Sequence, residues 1–134
     1  MVRFGEAIRR GFSNYFKFSG RSTRAEYWWW TLFVPVAQII LAVVGTFIGD
    51  SGLLVPLFGL ATLVPGLALG ARRLHDINRS ALWLLGLLGF FPLVLPGLVM
   101  FVLLLIWACK QGDEGQNQYG PDPRQDILDR TIGF

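Results

Sequence analysis

Residues 72–80 form a charged segment that separates two long stretches of the chain without a charged side chain. The stretch before it, 53–71, has none, and neither has the stretch after it, 81–109. A third uncharged stretch covers residues 28–49. Because an α-helix rises about 1.5 Å per residue, about 20 residues cross the hydrocarbon core of a bilayer, which is about 30 Å thick. The pattern therefore predicts an all-α integral membrane protein.

The composition favours a membrane environment over a water-facing surface. Of the 134 residues, 16% are charged and 53% are hydrophobic, whereas a soluble domain has about 25% charged residues. A chain of this length is predicted to form one domain, 1–134. The single cysteine, Cys109, excludes an internal disulfide, and no residues near it have the spacing of zinc ligands. We expect no metal and no cofactor.

The first 26 residues are predicted to form an amphipathic helix and a turn at the membrane surface. Aromatic and aliphatic side chains recur at helical spacing between Met1 and Phe18, with basic residues between them. Such a helix suits the headgroup region of a bilayer; the alternative is a helix that packs on the rest of the same protein. Ser22 or Thr23 is predicted to cap the next helix. Trp28 and the two tryptophans after it are expected to mark the depth where that helix enters lipid.

The first two uncharged stretches are predicted to be full membrane spans. Residues 28–49 and 53–71 must run antiparallel because only a short turn at Asp50 connects them. Residues 72–80 are predicted to form a basic cytoplasmic loop, since basic residues concentrate in loops on that side. The N-terminus and this loop then share the cytoplasmic side, while Asp50 lies outside.

The third uncharged stretch, 81–109, is too long for one straight crossing of a bilayer. Pro92 and Pro96 interrupt it near its middle. We predict two short helices, roughly 81–91 and 97–109, that form a helical hairpin and bring the number of membrane helices to four. The alternative is one long, tilted and kinked helix, which brings the number to three.

In the polar tail, 110–134, residues 111–123 are rich in turn residues and are predicted to be irregular. The short polar segment beyond Arg124 is predicted to be disordered. If the third stretch is a hairpin, the tail returns to the cytoplasm. If the third stretch is a single helix, the tail ends outside.

Three polar motifs stand at the ends of the uncharged stretches. They are Phe18-x-Gly20-Arg21-x-x-Arg24-x-Glu26-Tyr27-Trp28, Arg72-Arg73-Leu74-His75-Asp76 and Asn117-x-Tyr119-Gly120-Pro121-Asp122-Pro123. In this order they resemble the motifs of the DUF805 family of small bacterial inner-membrane proteins, the YhaH and YhaI type. The resemblance covers roughly residues 15–123 and implies an inner-membrane location and a multi-pass topology, but no chemistry. Ala81-Leu82-Trp83 departs from the family's more usual Gly-Trp-Trp, which bears on aromatic packing at the start of the third stretch.

The polar side chains of these motifs are the candidate site residues. Those of the first two motifs, together with Arg79 of the charged segment, are expected to contact lipid headgroups or a partner, or to form salt bridges between motifs: Arg21, Arg24, Glu26, Arg72, Arg73, His75, Asp76 and Arg79. The tail motif adds Asn117, Tyr119, Gly120, Pro121, Asp122 and Pro123. All three motifs are expected to meet on the cytoplasmic face.

Individual roles follow from charge and position. Asp76 is expected to pair with an arginine of its own segment or of the first motif, or to cap the next helix. Glu26 either caps its helix at the surface or forms a salt bridge to the charged segment. His75 and Asp76 are neighbours, so on a helix they point about 100° apart and cannot relay a proton to each other. Arg73 is expected to anchor headgroups, so that Arg73→Lys is mild and Arg73→Glu severe.

Three functions are compatible with this sequence. The favoured one is a non-enzymatic scaffold, assembly partner or regulator of another membrane component, because the sequence lacks a recognisable catalytic set. The second is a subunit of a small transporter or channel, and the third is an enzyme that acts on lipid headgroups at the cytoplasmic interface. The expected partners are the bilayer, with anionic headgroups, and a membrane protein or further copies of the chain. Nucleic acid is not expected, because the basic residues lie beside membrane segments.

Overall fold

The computed structural model describes residues 2–90 and 94–132, and within them the side chains of all residues except 87–90, 94–96, 126 and 130–132. Its helices are α1 (Phe4–Ser13), α2 (Arg24–Ile48), α3 (Leu54–Asp76), a 3₁₀ helix (Ala81–Phe90), α4 (Val94–Cys109) and α5 (Pro123–Ile132). In the described ranges there is no strand beyond a single bridge between Asn117 and Gly120. The all-α class is confirmed for this part of the chain.

Helices α2 and α3 form an antiparallel pair whose ends are set by local hydrogen bonds. Thr23 caps α2, because its hydroxyl accepts from the backbone N–H of Glu26 at 3.2 Å. Gly49 ends α2 in the left-handed conformation, with φ of 72°. The Asp50 carboxylate then accepts from the backbone N–H groups of Gly52 and Leu54, at 3.0 and 3.2 Å. Asp50 therefore holds the turn that reverses the chain and starts α3.

Helices α2 and α3 are long and apolar enough to cross a membrane, with 25 and 23 residues. Their apolar side chains are largely uncovered by the rest of the chain: Ile39 is 64% exposed, Phe47 85% and Leu60 66%. A soluble monomer rarely leaves so large a continuous apolar surface open. This surface therefore supports a membrane location, where lipid covers it.

Helix α1 packs on α2, as in the alternative interpretation of the N-terminal segment. A Cβ on Gly11 would lie 2.3 Å from the ring of Trp30, so only glycine allows this approach. The rings of Phe12 and Trp30 are 5.1 Å apart, and those of Phe4 and Trp29 are 5.5 Å apart. Trp30 is consequently buried against α1 rather than open to lipid, and the depth in the bilayer expected for the three tryptophans stays a prediction.

The third uncharged stretch folds back on itself. The rings of Trp83 and Trp107 are 5.2 Å apart, and a Cβ on Gly86 would lie 2.6 Å from the Met100 side chain. One continuous helix would separate residues 83 and 107 by about 36 Å, so the single-helix alternative is wrong. The first arm is a 3₁₀ helix rather than an α-helix. The predicted turn at Pro92 lies outside the described residues.

Two predicted boundaries need correction. Residues 72–76 are not part of a loop, because α3 continues to Asp76 and only 77–80 connect it to the 3₁₀ helix. Charged side chains do not end a helix; the chain turns at Asn78, whose φ is 58°, a conformation that asparagine tolerates. The segment beyond Arg124, predicted to be disordered, instead belongs as far as Ile132 to the helix α5, which begins at Pro123. The Asp122 carboxylate accepts from the backbone N–H of Arg124 at 3.0 Å, and proline suits the first helical position.

Candidate functional site

Six polar side chains from all three motifs meet at one end of the α2–α3 pair. We call them the polar cluster: Arg21, Arg73, His75, Asp76, Asn117 and Tyr119. The last turns of α3 form its centre, and the tail and the segment before α2 close around them. Arg73 is 2% exposed and Asp76 is 3% exposed, so these charges are almost completely withdrawn from solvent.

The Asp76 carboxylate is held by two arginines. Arg21 donates through Nε to Oδ1 at 3.0 Å, and Arg73 donates through Nη1 to Oδ2. The backbone carbonyl of Asp76 also accepts from the N–H of Asp113 at 2.7 Å. Two buried cations with one carboxylate leave a surplus positive charge, which is costly in a low-dielectric site unless further acceptors surround it. Backbone carbonyls supply those acceptors.

Arg21 joins the first motif to the tail. Its guanidinium donates to the backbone carbonyls of Asp113, Gly115 and Gly120, in addition to Asp76. All the polar atoms of this side chain are thus used within the protein. The rigid planar fork of arginine suits such a multiple contact, which lysine could not reproduce.

Arg73 joins the second motif to the end of α4. It donates to the carbonyls of Ala108 and Lys110, which lie at the C-terminus of α4 and lack partners inside that helix. A cation at this position also opposes the partial negative charge of the helix end. Arg73 therefore holds α3 against α4 and cannot reach a lipid headgroup, contrary to the expectation that it anchors one.

His75 is used as a packing and hydrogen-bonding group. Its ring stacks on Tyr119 with centroids 4.0 Å apart and planes 6° apart. Its Nδ1 lies 2.9 Å from the carbonyl of Gly20, so Nδ1 carries the hydrogen in this arrangement, because a carbonyl only accepts. Asn117 donates to the His75 carbonyl at 2.8 Å. As predicted for neighbours on a helix, His75 and Asp76 have different partners and do not bond each other.

Glu26 and Arg72 are buried beside the polar cluster without joining it. Glu26 is 4% exposed and pairs with Arg10 of α1 at 2.5 Å. It is therefore not a capping residue at the surface, and it forms no salt bridge to the charged segment. Both expectations for Glu26 are wrong. Arg10 was not a candidate residue; its only signal in the sequence is the helical spacing to Glu6, with which it also pairs. Arg72 is also 4% exposed, and its Nη2 has no hydrogen-bond partner among the described residues.

Arg24 and Arg79 are exposed and lie outside the polar cluster. Arg24 donates to the carbonyl of Cys109 at 3.2 Å. The guanidinium of Arg79 stands 4.8 Å from the ring centre of Trp107, in a cation–π arrangement. Of the five candidate arginines, 21, 24, 72, 73 and 79, only Arg24 and Arg79 keep an exposed charge that a headgroup could contact.

The tail motif has its own carboxylate centre at Asp122. Arg124 donates to it from Nη2 at 2.7 Å, and the backbone N–H groups of Arg124 and Gly115 add bonds at 3.0 and 3.2 Å. The guanidinium of Arg124, with these backbone donors, lowers the pKa of Asp122 to about 2. The carbonyl of Gly115 also accepts from Arg21, so the backbone of Gly115 ties this centre to the polar cluster.

Gly112 was not a candidate residue, yet the polar cluster depends on it. A Cβ on Gly112 would lie 1.8 Å from Oδ2 and 2.4 Å from Cγ of Asp76. The tail can pass over the carboxylate only because that atom is missing. No sequence pattern marks Gly112 among the other glycines of the tail.

The arrangement is suited to holding segments together. Among the described residues, no group of three or more His, Cys, Asp and Glu side chains is placed to bind a metal ion. Both oxygens of Asp76 accept from arginines, and the Nδ1 of His75 is bonded to a carbonyl. The polar groups thus face one another rather than a shared substrate position.

Comparison with known proteins places the chain in a family. The family model described as "Protein of unknown function (DUF805)" matches residues 15–121. The inner membrane protein YhaI of Escherichia coli (strain K12) is 41% identical over 112 residues, which cover 83% of this chain and 89% of that protein. The inner membrane protein YhaH of the same strain is 32% identical over 116 residues, which cover 83% and 90%. No solved structure matches the chain. The chain belongs to the DUF805 family, whose relatives named here are bacterial inner membrane proteins.

Proposed function

We propose that this multi-pass inner-membrane protein has a non-enzymatic role, as a scaffold, assembly partner or regulator of another membrane component. The observation that carries the proposal is the mutual pairing inside the polar cluster. Arg21, Arg73 and Asp76 use their charged groups on one another and on backbone carbonyls. An active site needs a reactive group that is free to touch a substrate. The polar cluster instead supports a rigid platform at one end of the helices.

The exposed apolar helix faces are the surface on which a membrane partner would bind. Ile40 on α2 is 57% exposed and Leu60 on α3 is 66% exposed. Contacts between membrane helices rely on close packing of such faces rather than on expulsion of water. A platform that fixes the angle between α2, α3 and α4 would present these faces in a constant arrangement.

Site-specific photocrosslinking in the native membrane tests this role. A photoreactive amino acid is placed at Ile40 or at Leu60, with Leu69, which is 2% exposed, as the buried control. We expect one constant protein adduct from an exposed position and none from Leu69. Adducts with lipid alone from every exposed position would contradict the partner role.

We further propose that both termini lie in the cytoplasm and that the third stretch enters and leaves the membrane on that side. Basic residues flank α2 at its start and α3 at its end, which favours the cytoplasm for both. The tail bonds to Arg21 and Asp76, so it shares their side. Fusions after Phe134 test this: green fluorescent protein should fluoresce there and alkaline phosphatase should be inactive. An active phosphatase would place the tail outside.

Two other functions remain as alternatives, each with its own assay. Transport would need polar groups in the spans, and Gln38, whose Nε2 faces Gly59 of α3, is the one strongly polar side chain between residues 28 and 49. Proteoliposomes tested for solute flux would reveal transport.

Headgroup chemistry would need His75 or Asp76 to leave its present partners. Turnover of lipid headgroups by the purified protein, abolished in His75→Ala, would favour the enzyme over the scaffold.

A further inference from the structure

A cavity of about 670 Å³ lies between the start of α2, the helix α5 and the first residues of the tail, Gln111 and Gly112. Its volume falls within the range of small-molecule sites, about 300–1,000 Å³. One part of its wall is cationic, with Arg24 and Arg124. Another part is apolar, with Trp28, Leu32 and Leu128.

We propose that this cavity binds one anionic phospholipid taken from the bilayer. Its phosphate would contact Arg24 and Arg124, and one acyl chain would lie along Trp28, Leu32 and Leu128. The remainder of the lipid would stay in the membrane. This site goes beyond the scaffold role and does not depend on it.

The order of residues along both helices matches an amphiphile. On α2, Arg24, Trp28 and Leu32 are spaced by four, so they share one face and run from a charged end to an apolar end over about 12 Å. On α5, Arg124 and Leu128 repeat the same spacing in the same direction along the chain. Two separate helices therefore contribute a cation in the first turn and an apolar side chain one turn further.

The charges around the cavity leave room for an anion. Arg24 is exposed, and among the described side chains no carboxylate lies within salt-bridge distance of it. Arg124 uses Nε and Nη2 on Asp122 and on the carbonyl of Asp113, while Nη1 has no hydrogen bond to the described residues. Asp76 also lines the cavity, but its oxygens already accept from two arginines. A phosphate would meet a net positive wall.

The depth of the cavity fits a ligand from the bilayer rather than from water. Trp28 begins the uncharged part of α2, and Trp28, Leu32 and Val36, which share one face of that helix, are 36%, 51% and 45% exposed. The apolar wall is therefore continuous with the lipid-facing surface. A lipid can enter sideways without crossing water.

Native mass spectrometry of the full chain in detergent tests the site. The protein is titrated with phosphatidylglycerol or with phosphatidylcholine carrying the same acyl chains, and bound lipids are counted. We expect one phosphatidylglycerol to be retained preferentially. Arg24→Gln should weaken this binding about tenfold, the effect of losing one hydrogen bond to a charged group. Arg79→Gln, which removes an exposed arginine outside the cavity, should leave it unchanged.

A second pair of variants tests the apolar wall without removing charge. Leu32→Trp fills the cavity and should lower phosphatidylglycerol binding, whereas Leu63→Trp places the same ring on an exposed part of α3 outside the cavity. Both positions are about half exposed, so both variants should keep the elution volume and melting curve of the parent. The proposal would be overturned if Leu32→Trp and Leu63→Trp bound phosphatidylglycerol equally well. Equal binding by Arg24→Gln and Arg79→Gln would overturn it too.

The last arm separates a membrane lipid from a soluble anion. Inorganic phosphate and glycerol phosphate are added as competitors of phosphatidylglycerol. If the site takes a lipid, neither should displace it at concentrations where long-chain phosphatidylglycerol does. Displacement by inorganic phosphate at those concentrations would identify a soluble-anion site and would refute the lipid assignment.

Discussion

The two parts of α3 have opposite surroundings. Along its first half, Leu57, Leu60 and Leu63 are 58%, 66% and 54% exposed. In its last turns, Arg72, Arg73 and Asp76 are 4%, 2% and 3% exposed. A soluble protein has the reverse arrangement, with leucines inside and charged residues outside.

This inversion indicates where the folded state gains its specific stability. Lipid is as apolar as leucine, so the exposed half of α3 gains little from packing against protein rather than lipid. The charged half cannot be left in a low-dielectric region unpaired. We therefore expect substitutions in and around the polar cluster to cost far more than substitutions on the apolar faces.

The largest effect is expected from Asp76→Ala. It leaves Arg21 and Arg73 buried without their carboxylate, and breaking a buried ion pair from one side costs about 3–5 kcal/mol. Unfolding in detergent, followed by circular dichroism, measures the loss. Asp129→Ala, at an exposed carboxylate of α5, is the control and should cost little. If the two variants lost the same free energy of unfolding, the charged end of α3 would contribute no more to stability than an exposed surface position.

Gly112→Ala is expected to come next, at about 3 kcal/mol. The new methyl group would overlap the Asp76 carboxylate, which two arginines hold in place and which cannot move aside freely. Gly5→Ala is the matched control, because a Cβ there would have nothing within 4 Å. The same detergent unfolding assay compares them, and a stable Gly112→Ala protein would show that the tail contact is dispensable.

These first two positions show what a sequence can and cannot predict here. Uncharged length predicts the two long helices and the interrupted third stretch, because a span must cover about 30 Å of hydrocarbon. The helix α5 was also predictable, since Asp122 followed by Pro123 is a favourable start for a helix. The role of Gly112 was not, because it depends on which distant carboxylate the backbone passes over.

The partners of the arginines were beyond prediction for a related reason. A charge count shows that carboxylates are scarce near the charged segment, but not that backbone carbonyls replace them. Arg73 bonds the end of α4, and Glu26 bonds Arg10 of α1. Both contacts depend on how helices far apart in sequence pack, so charge and spacing within one motif do not indicate them.

Arg73→Lys is the third prediction, and the structure reverses the mild effect expected from the sequence. Lysine keeps the charge but has one nitrogen in place of the three that now contact Asp76, Ala108 and Lys110. We expect a loss of about 2 kcal/mol in detergent unfolding, the scale of hydrogen bonds to charged groups. Arg79→Lys should be nearly neutral, because an ammonium can still stand over the Trp107 ring.

The fourth prediction uses the pH dependence of the tail centre. Asp122 has a folded pKa of about 2, below its ordinary value of 3.8, so the charged form stabilises the fold. The contribution is complete above about pH 5 and is lost as the pH falls through 4 towards 2. With Arg124 about one-third exposed, screening limits it to about 1–2 kcal/mol. The stability difference between the parent and Asp122→Asn should shrink over that range and stay constant between pH 6 and 8.

The smallest effect is expected from Leu60→Ala, which tests the apolar half directly. In the core of a soluble protein this change costs about 2–5 kcal/mol, because the leucine leaves a cavity. Leu60 is 66% exposed, so lipid should fill the space and the loss should stay below about 0.5 kcal/mol. Leu69→Ala, at a residue 2% exposed on the same helix, is the control and should show the full core cost. If Leu60→Ala instead costs as much as Leu69→Ala in native membranes but not in detergent, then Leu60 is packed against another protein in the membrane. In that case the first half of α3 would be exposed only in the isolated chain. The partner of the proposed scaffold would bind on this face of α3.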